Sequence, residues 1–262
     1  MSRDWAYERD QRVAFIQSVL KSSGAKGIVF GNSGGKDCCL VGILCRLATP
    51  NVTGVIMPCS SSRNFGIDRD HALLMSKQFD VNAVEVDLTQ IKNQFTQALS
   101  PLSDLNGPAG MNINPRLRMT TLYALAQSKG CLVAGTGNRS ERYMGYFTKW
   151  GDGAFDFNPI SDLTATEIFS FLRFLHAPQE IIEKAPSAGL FEGQTDEKEM
   201  GVAYAAIDEY ILHGTGTPEN IVSSNAHMRP PAISADRRRY MPRARKISNC
   251  LPDLTTFFTV IQ

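Results

Sequence analysis

The chain has 262 residues, of which 43% are hydrophobic and 20% are charged, and its formal net charge is +1. These values are typical of a globular protein with one large or two small α/β domains, and they argue against a chain that binds polyanions over its whole surface. No apolar run reaches the roughly 20 residues that a membrane helix needs, and the N-terminus has no apolar signal segment, so we expect a cytoplasmic protein without membrane contact.

Cysteine and histidine usage narrows the kinds of metal site to consider. The six cysteines include no C-x-x-C pair, and the four histidines are scattered along the chain. This usage is typical of reduced thiols and not of a disulfide framework or a zinc site. A site built from oxygen ligands, such as those that Mg²⁺ prefers, stays open.

Helical and apolar segments alternate through the first half of the chain. Helical spacing of apolar residues predicts an amphipathic helix at 8–23 and two further helices, at 68–79 and 112–129. A packed helix is also predicted to begin at residue 39. Apolar runs predict four strands, at 27–30, 52–57, 81–88 and 131–134. This alternation favours an α/β fold with a Rossmann-like parallel sheet and helices on both faces. No break in composition is visible, so we expect a single domain over residues 1–262.

A glycine-rich turn separates the first strand from the helix that follows it. It reads Gly-Asn-Ser-Gly-Gly-Lys-Asp-Cys over residues 31–38. Glycines let the backbone approach a phosphate, and the free amides of a helix N-terminus favour negative charge. Asp37 by itself would repel phosphate, so its carboxylate indicates a divalent cation that bridges phosphate and protein. The turn differs from the Walker pattern and resembles the pyrophosphate loop of the N-type ATP pyrophosphatases.

A second glycine-rich turn, Gly135–Glu141, follows the fourth predicted strand. Because parallel strands end at one edge of a sheet, Glu141 is expected near Asp37, where the two carboxylates could hold Mg²⁺ between them. The aperiodic segment that comes next contains Lys149, which could meet a phosphate, and Asp156, which could accept hydrogen bonds from a ribose.

Two groups of basic residues raise the question of an anionic partner. Arg116 and Arg118 lie near the start of the predicted helix 112–129, where a cation is unfavourable for the helix dipole, so an anionic ligand is a candidate. The tail 229–246 carries six arginines and one lysine against a single aspartate. No aromatic RNA-binding motif accompanies it, so we favour a local anion role or a solvated tail and do not expect a nucleic-acid partner.

Several ordered motifs resemble the ammonia-dependent NAD synthetases. The resemblance runs from about residue 27 to residue 227, and its motifs are 33–37, 112–119, 135–141, 145–159 and 186–197. It implies the adenine nucleotide alpha-hydrolase type of fold. It also implies that deamido-NAD, ATP and ammonia are converted to NAD, AMP and pyrophosphate through an adenylated nicotinate, with Mg²⁺ as cofactor and ATP as co-substrate.

The resemblance also implies roles for particular residues. Asp37, Glu141 and Lys149 would act in catalysis, and Asp37 and Glu141 would bind the metal. ATP would be bound by Gly31, Asn32, Ser33, Gly34, Gly35, Lys36, Asp37, Cys38, Thr136 and Ser187. Deamido-NAD would be bound by Arg116, Lys149, Asp156 and His227. The resemblance further implies a homodimer with sites at the interface. It also implies ammonia that is free or delivered by a partner, because a glutaminase domain would need a few hundred more residues.

Departures from the family pattern keep two alternatives open. Cys38 stands where a hydroxyl is usual, and Ala165 and Met228 stand where lysines are frequent. One alternative is another adenylating pyrophosphatase, such as a tRNA-thiolating enzyme, suggested by Lys36, the Cys38–Cys39 pair and the basic tail. The other is a catalytically weak homologue that binds nucleotides. Which residue deprotonates ammonium does not follow from these motifs.

Overall fold

The four predicted strands form one parallel sheet. The computed structural model describes residues 3–184 and 196–216. The strands are β1 Ile28–Gly31, β2 Val52–Ile56, β3 Asn82–Glu85 and β4 Leu132–Ala134. They pair in the order β3-β2-β1-β4, and Ile28 lies opposite both Val52 and Leu132. The parallel α/β prediction is therefore confirmed.

Helices connect the strands and continue after the last one. In the first half of the described chain they are α1 Trp5–Ser23, α2 Lys36–Ala48, α3 Ser62–Phe65, α4 Ile67–Gln78, α5 Thr89–Leu99, α6 Pro108–Met111 and α7 Ile113–Lys129. After β4 they are α8 Arg139–Met144, α9 Ala165–Phe174, α10 Gln179–Ile182, α11 Asp196–Met200 and α12 Tyr204–His213.

Both faces of the sheet are covered, because side chains along each strand alternate between the two faces. On β1, Ile28 and Phe30 belong to a buried cluster with apolar residues of α2 and α9. Val29, between them, belongs to a second cluster, which includes Ala126 of α7. The buried strands therefore lie between two helical layers, as the continuous apolar runs predict.

Two elements differ from their predicted extent. The strand expected over residues 81–88 is limited to β3, and the Asp87 carboxylate lies beyond it, where it accepts a hydrogen bond from the Thr89 amide at 2.8 Å. The serine-rich stretch after β2, for which no helix was predicted, contains the short helix α3. Short polar segments of this kind carry too weak a periodicity to reveal one helical turn.

The described residues lie in one compact unit. The single domain over residues 1–262 stays a prediction, because residues 185–195 and 217–262 lie outside the described part of the chain. Among the helices that are described, none combines the length and apolar character needed to cross a membrane.

Candidate active site

A cavity of about 280 Å³ opens at the C-terminal edge of the sheet. It lies where ligands bind in parallel α/β sheets, because loops from several strand ends converge there. Its wall includes seven of the eight residues of the first glycine-rich turn, and also Thr136 and Glu141 of the second. The structure therefore brings together the two turns that the sequence analysis predicted to share one edge.

The remaining residue of the first turn, Gly34, faces away from the cavity wall and packs against α4. Its φ is +66°, which is a left-handed conformation that favours glycine. A Cβ at this position would lie 2.1 Å from the carbonyl oxygen of Asp68. Asn32 also attaches the turn to α4, since its buried side-chain amide donates to the Ala72 carbonyl at 3.1 Å and to Ser76 Oγ at 3.2 Å. The turn is thus shaped by its attachment to α4.

Cys38 is the last residue of the first glycine-rich turn and lies in the first helical turn of α2. Its sulfur accepts a hydrogen bond from the Gly35 amide at 3.2 Å and lies 3.3 Å from Ser33 Oγ. The amide and the hydroxyl are the kinds of donor that a phosphate oxygen would use. Sulfur is a weak acceptor, so it holds these donors in place only weakly. A phosphate oxygen, which is a stronger acceptor, could replace it with little loss of free energy.

Asn138 connects the two predicted metal-binding carboxylates. Its side-chain amide donates to Asp37 Oδ1 at 3.0 Å, and its backbone amide donates to Glu141 Oε2 at 3.0 Å. Asn138 is fully buried and is the N-cap of α8, so its position is fixed by the helix that carries Glu141. Asn138 was absent from the predicted site residues, although an asparagine three residues before a glutamate is a capping signature.

The Glu141 carboxyl is electrostatically unusual. Burial, and then the negative charge of Asp37, raise its pKa to about 8. A carboxylate that is costly to ionise without a counter-charge is suited to receive a cation. Helix α8 is itself held in place by Ser140, whose hydroxyl donates to the buried carboxylate of Asp208 on α12.

Lys36 supplies a cation within this group. Its ammonium is buried, lies 2.6 Å from Asp37 Oδ2, and faces the Tyr204 ring at 5.2 Å. Burial opposes its charge, yet the carboxylates of Asp37 and Glu141 raise its pKa above that of an ordinary lysine. Lys36 therefore stays charged and offsets part of the negative charge on this wall of the cavity.

Three of the four predicted deamido-NAD residues are described, and none of these three lines the cavity. Arg116 Nε donates to the Lys149 carbonyl at 3.3 Å, and the Lys149 ammonium faces the Trp150 ring at 5.4 Å. The Asp156 carboxylate accepts from the Val133 amide at 2.7 Å and from the Tyr123 hydroxyl at 3.2 Å. Arg116 and Lys149 are thus brought together, whereas Asp156 is bound to β4 and α7. Ser187 and His227 lie outside the described residues.

The cavity wall contains further charged residues that were not among the predicted site residues: Asp68, Arg69, Arg118, Asp152, Lys184 and Asp196. Asp196 is buried and accepts from the hydroxyls of Tyr146 and Tyr204, each at 3.2 Å. Lys184 and Asp68 form an ion pair of 2.6 Å. No local pattern marks the contacts of Lys184 with Asp68 and of Asp196 with Tyr146, because these partners are distant in sequence.

Comparison with known proteins identifies the family of the chain. The profile of the NAD synthase family matches residues 8–234. The NH(3)-dependent NAD(+) synthetase of Carboxydothermus hydrogenoformans is 42% identical over 222 residues, which cover 84% of this chain and 90% of that protein. The enzyme of the same name from Alkaliphilus oremlandii is 39% identical over 249 residues, covering 91% of this chain and 96% of that protein.

Solved structures show the same relationship. The NMN synthetase from Francisella tularensis superimposes with a TM-score of 0.79 at 31% identity, over 90% of this chain and 100% of that chain. The NH3-dependent NAD synthetase from Campylobacter jejuni, in complex with nitrate, gives a TM-score of 0.67 at 30% identity, over 89% of this chain and 100% of that chain. The chain therefore belongs to the NAD synthase family of ligases, which form a C–N bond.

Proposed function

We propose that this protein amidates the nicotinate carboxylate of deamido-NAD with ammonia, at the expense of ATP. The observation that carries the proposal is the Asn138-bridged pair of Asp37 and Glu141 beside the glycine-rich turn, in the cavity at the sheet edge. Amides of the turn suit a triphosphate, and the carboxylate pair suits the cation that accompanies it.

The proposed reaction has two steps. A nicotinate oxygen attacks the α-phosphorus of ATP, the bond to the β-phosphate breaks, and pyrophosphate leaves. Neutral ammonia then attacks the carbonyl carbon of the acyl adenylate, AMP leaves, and one proton is lost from nitrogen. The chain needs no nucleophile of its own, so its side chains align the substrates and offset the charge of the leaving groups.

Asp37 and Glu141 would hold Mg²⁺ together with phosphate oxygens. Among the described residues, no group of three or more His, Cys, Asp or Glu side chains could hold a metal by itself. Two carboxylates completed by phosphate oxygens are nevertheless a usual Mg²⁺ environment, so the residues present fit an ion that enters with ATP. When bound, Mg²⁺ would neutralise developing charge on the phosphates.

Asp196 is our candidate for the group that accepts a proton from ammonium. It is a buried carboxylate on the cavity wall, oriented by the hydroxyls of Tyr146 and Tyr204. A carboxylate with surrounding aromatic rings can bind an ammonium ion, and deprotonation must precede attack because only the neutral amine is nucleophilic.

The direct test is to incubate the protein with deamido-NAD, ATP, Mg²⁺ and ammonium and to measure NAD and AMP. Equal amounts of NAD and AMP are expected, with no product when ammonium is omitted. ATP binding without AMP release would instead support the weak homologue. A shift of tRNA in a gel would support the tRNA-thiolating alternative, for which the NAD synthase family match gives no support.

A second candidate substrate is nicotinate mononucleotide. It is favoured by the Francisella tularensis NMN synthetase, whose TM-score of 0.79 exceeds the 0.67 of the Campylobacter jejuni NAD synthetase. Both substrates present the same nicotinate carboxylate and differ in the adenylate half. Comparison of kcat/KM for the two nucleotides in the same assay decides between them.

We further propose that the protein is a homodimer and that the dinucleotide is bound at its interface by Arg116, Lys149, Asp156 and His227. Helix α5 has no buried residue, and its Ile91 and Phe95 are 48% and 47% exposed. These two side chains are four positions apart and so lie on one helical face. An exposed apolar patch on one helical face can pair with the same patch of a second copy across a two-fold axis.

Replacing Phe95 with glutamate is expected to convert the dimer to a monomer, because the charge would be buried against a second copy. Light scattering after gel filtration should then give 28.8 kDa, the mass of one chain, and not twice that value. Leu212→Glu is the matched control, since Leu212 is also exposed, at 40%, and lies on α12. A wild-type mass of one chain would contradict the dimer.

Replacing Cys38 with serine is expected to leave the rate of NAD formation unchanged or to raise it up to about threefold, since a hydroxyl is a stronger hydrogen-bonding group than a thiol. The measurement is kcat/KM for ATP. Cys39→Ser is the control, because Cys39 is buried in the core and a hydroxyl there should lower the melting temperature. A large loss of activity in Cys38→Ser would mean that the sulfur itself is required.

A further inference from the structure

Lys184 contacts the tip of the glycine-rich turn from a distant part of the chain. It follows α10, and its side chain is 11% exposed on the wall of the same cavity. Its ammonium donates to the Gly34 carbonyl oxygen at 3.1 Å and lies 2.6 Å from Asp68 Oδ1. The contact to Gly34 is thus made by a cation that has a fixed counter-ion.

This contact determines which way the Gly34–Gly35 peptide faces. In a trans peptide the carbonyl and the N–H point in opposite directions. The Gly34 carbonyl points to Lys184, and the Gly35 N–H points into the turn, 3.2 Å from Cys38 Sγ. A peptide between two glycines rotates more freely than any other, so its orientation needs a partner outside the turn. A flipped peptide would present its carbonyl oxygen to a bound phosphate and repel it.

Asp68 holds Lys184 in this position. Its buried carboxylate also accepts from Asn64 Nδ2 at 2.9 Å and from Arg63 Nε at 3.3 Å, so it is fixed on three sides. Its own backbone packs against Gly34, where a Cβ would come within 2.1 Å. Asp68 therefore couples α4, Lys184 and the turn into one rigid arrangement.

We infer that Lys184 is a positioning residue, which keeps the Gly35 amide directed at the polyphosphate of ATP, and that Asp68 acts through Lys184. The inference rests on the proposed function for the identity of the ligand. Lys184 acts here through the backbone of the turn and not through a contact with phosphate. Its loss should weaken binding of ligands that carry a diphosphate and leave adenosine binding unchanged.

The test is calorimetric titration of a non-hydrolysable ATP analogue, of inorganic pyrophosphate and of adenosine. Lys184→Met is expected to bind the first two about 10- to 100-fold more weakly, the usual range for loss of a charge-assisted hydrogen bond. Lys184→Arg, which can still donate to the carbonyl, should recover most of this loss. Lys77→Met on the exposed surface of α4 is the matched control and should bind like wild type.

Asp68→Asn separates positioning from simple electrostatics. Removal of a negative charge beside a phosphate site should strengthen anion binding if Lys184 and Asp68 act only through their charges. Positioning predicts the opposite, a loss of about tenfold or more, and a Lys184→Met/Asp68→Asn double variant no weaker than Lys184→Met alone. Asp68→Asn also decides the question if Lys184→Met does not fold, as judged by circular dichroism.

Tighter binding in Asp68→Asn, additive losses in the double variant, or wild-type affinity in Lys184→Met would each overturn the inference while the proposed function stands. A wild-type protein that binds neither the ATP analogue nor pyrophosphate would overturn both.

Discussion

Replacing Asp37 with asparagine is expected to lower kcat/KM for NAD formation by about 10²- to 10³-fold, the scale typical of losing one group that stabilises transition-state charge. Asparagine keeps an oxygen that can accept from Asn138, which donates to Asp37 Oδ1 at 3.0 Å in the wild type. The fold should therefore be retained while the negative charge that would hold Mg²⁺ is lost. The measurement is steady-state kinetics at saturating ammonium, with titration of Mg²⁺.

The Mg²⁺ dependence of Asp37→Asn distinguishes loss of a metal ligand from a folding defect. Loss of a metal ligand should raise the Mg²⁺ concentration needed for half-maximal rate, whereas a folding defect should lower the melting temperature and leave the Mg²⁺ requirement unchanged. Asp10→Asn is the matched control, because Asp10 is exposed and pairs with Arg9, far from the cavity. Wild-type kinetics in Asp37→Asn would refute the metal assignment.

Replacing Glu141 with glutamine is expected to abolish most activity and yet to stabilise the protein in the absence of ligands. In the folded state burial and the charge of Asp37 raise the Glu141 pKa from 4.5 to about 8. Ionisation therefore costs more in the folded than in the unfolded state, and stability falls as the pH rises from about 4.5 to about 8. Glutamine lacks this penalty and can still accept from the Asn138 amide.

The melting temperature of Glu141→Gln should exceed that of wild type by roughly 3–6 °C at pH 9, and the difference should vanish near pH 4. Added Mg²⁺ and ATP should raise the wild-type melting temperature more than that of the variant, since bound ligands stabilise the state that binds them. The control is Glu183→Gln, an exposed change on the surface. A variant less stable than wild type at pH 9 would mean that Glu141 is ionised at no cost in the folded state.

These two predictions illustrate a conflict between function and stability at one site. Asp37 and Glu141 repel each other across Asn138, and Lys36 offsets that repulsion only in part, because the pKa of Glu141 is still raised. One carboxylate of the pair is therefore costly to ionise in the absence of a ligand, as the proposed Mg²⁺ site would require.

Local sequence determined the elements that form the site. Continuous apolar runs specified the parallel strands, because a strand buried on both faces needs apolar residues at every position. The first glycine-rich turn specified its own backbone conformation, because Gly34 requires a left-handed backbone and has no room for a Cβ beside α4. The resemblance to the family rests on the same local motifs, and the family comparison confirms it.

The predicted parallel sheet already placed Asp37 and Glu141 at one edge, but only the tertiary structure decided which side chains connect and support the two turns. Asn138 bridges to Asp37 across 101 positions, and Lys184 reaches Gly34 across 150. Arg116, Lys149 and Asp156 lie in motifs as distinctive as the turns, yet they lie off the cavity wall. Neighbouring residues determine the backbone conformation of a turn. The partner of a buried charge depends instead on how helices distant in sequence pack together, and a local sequence pattern contains no information on that packing.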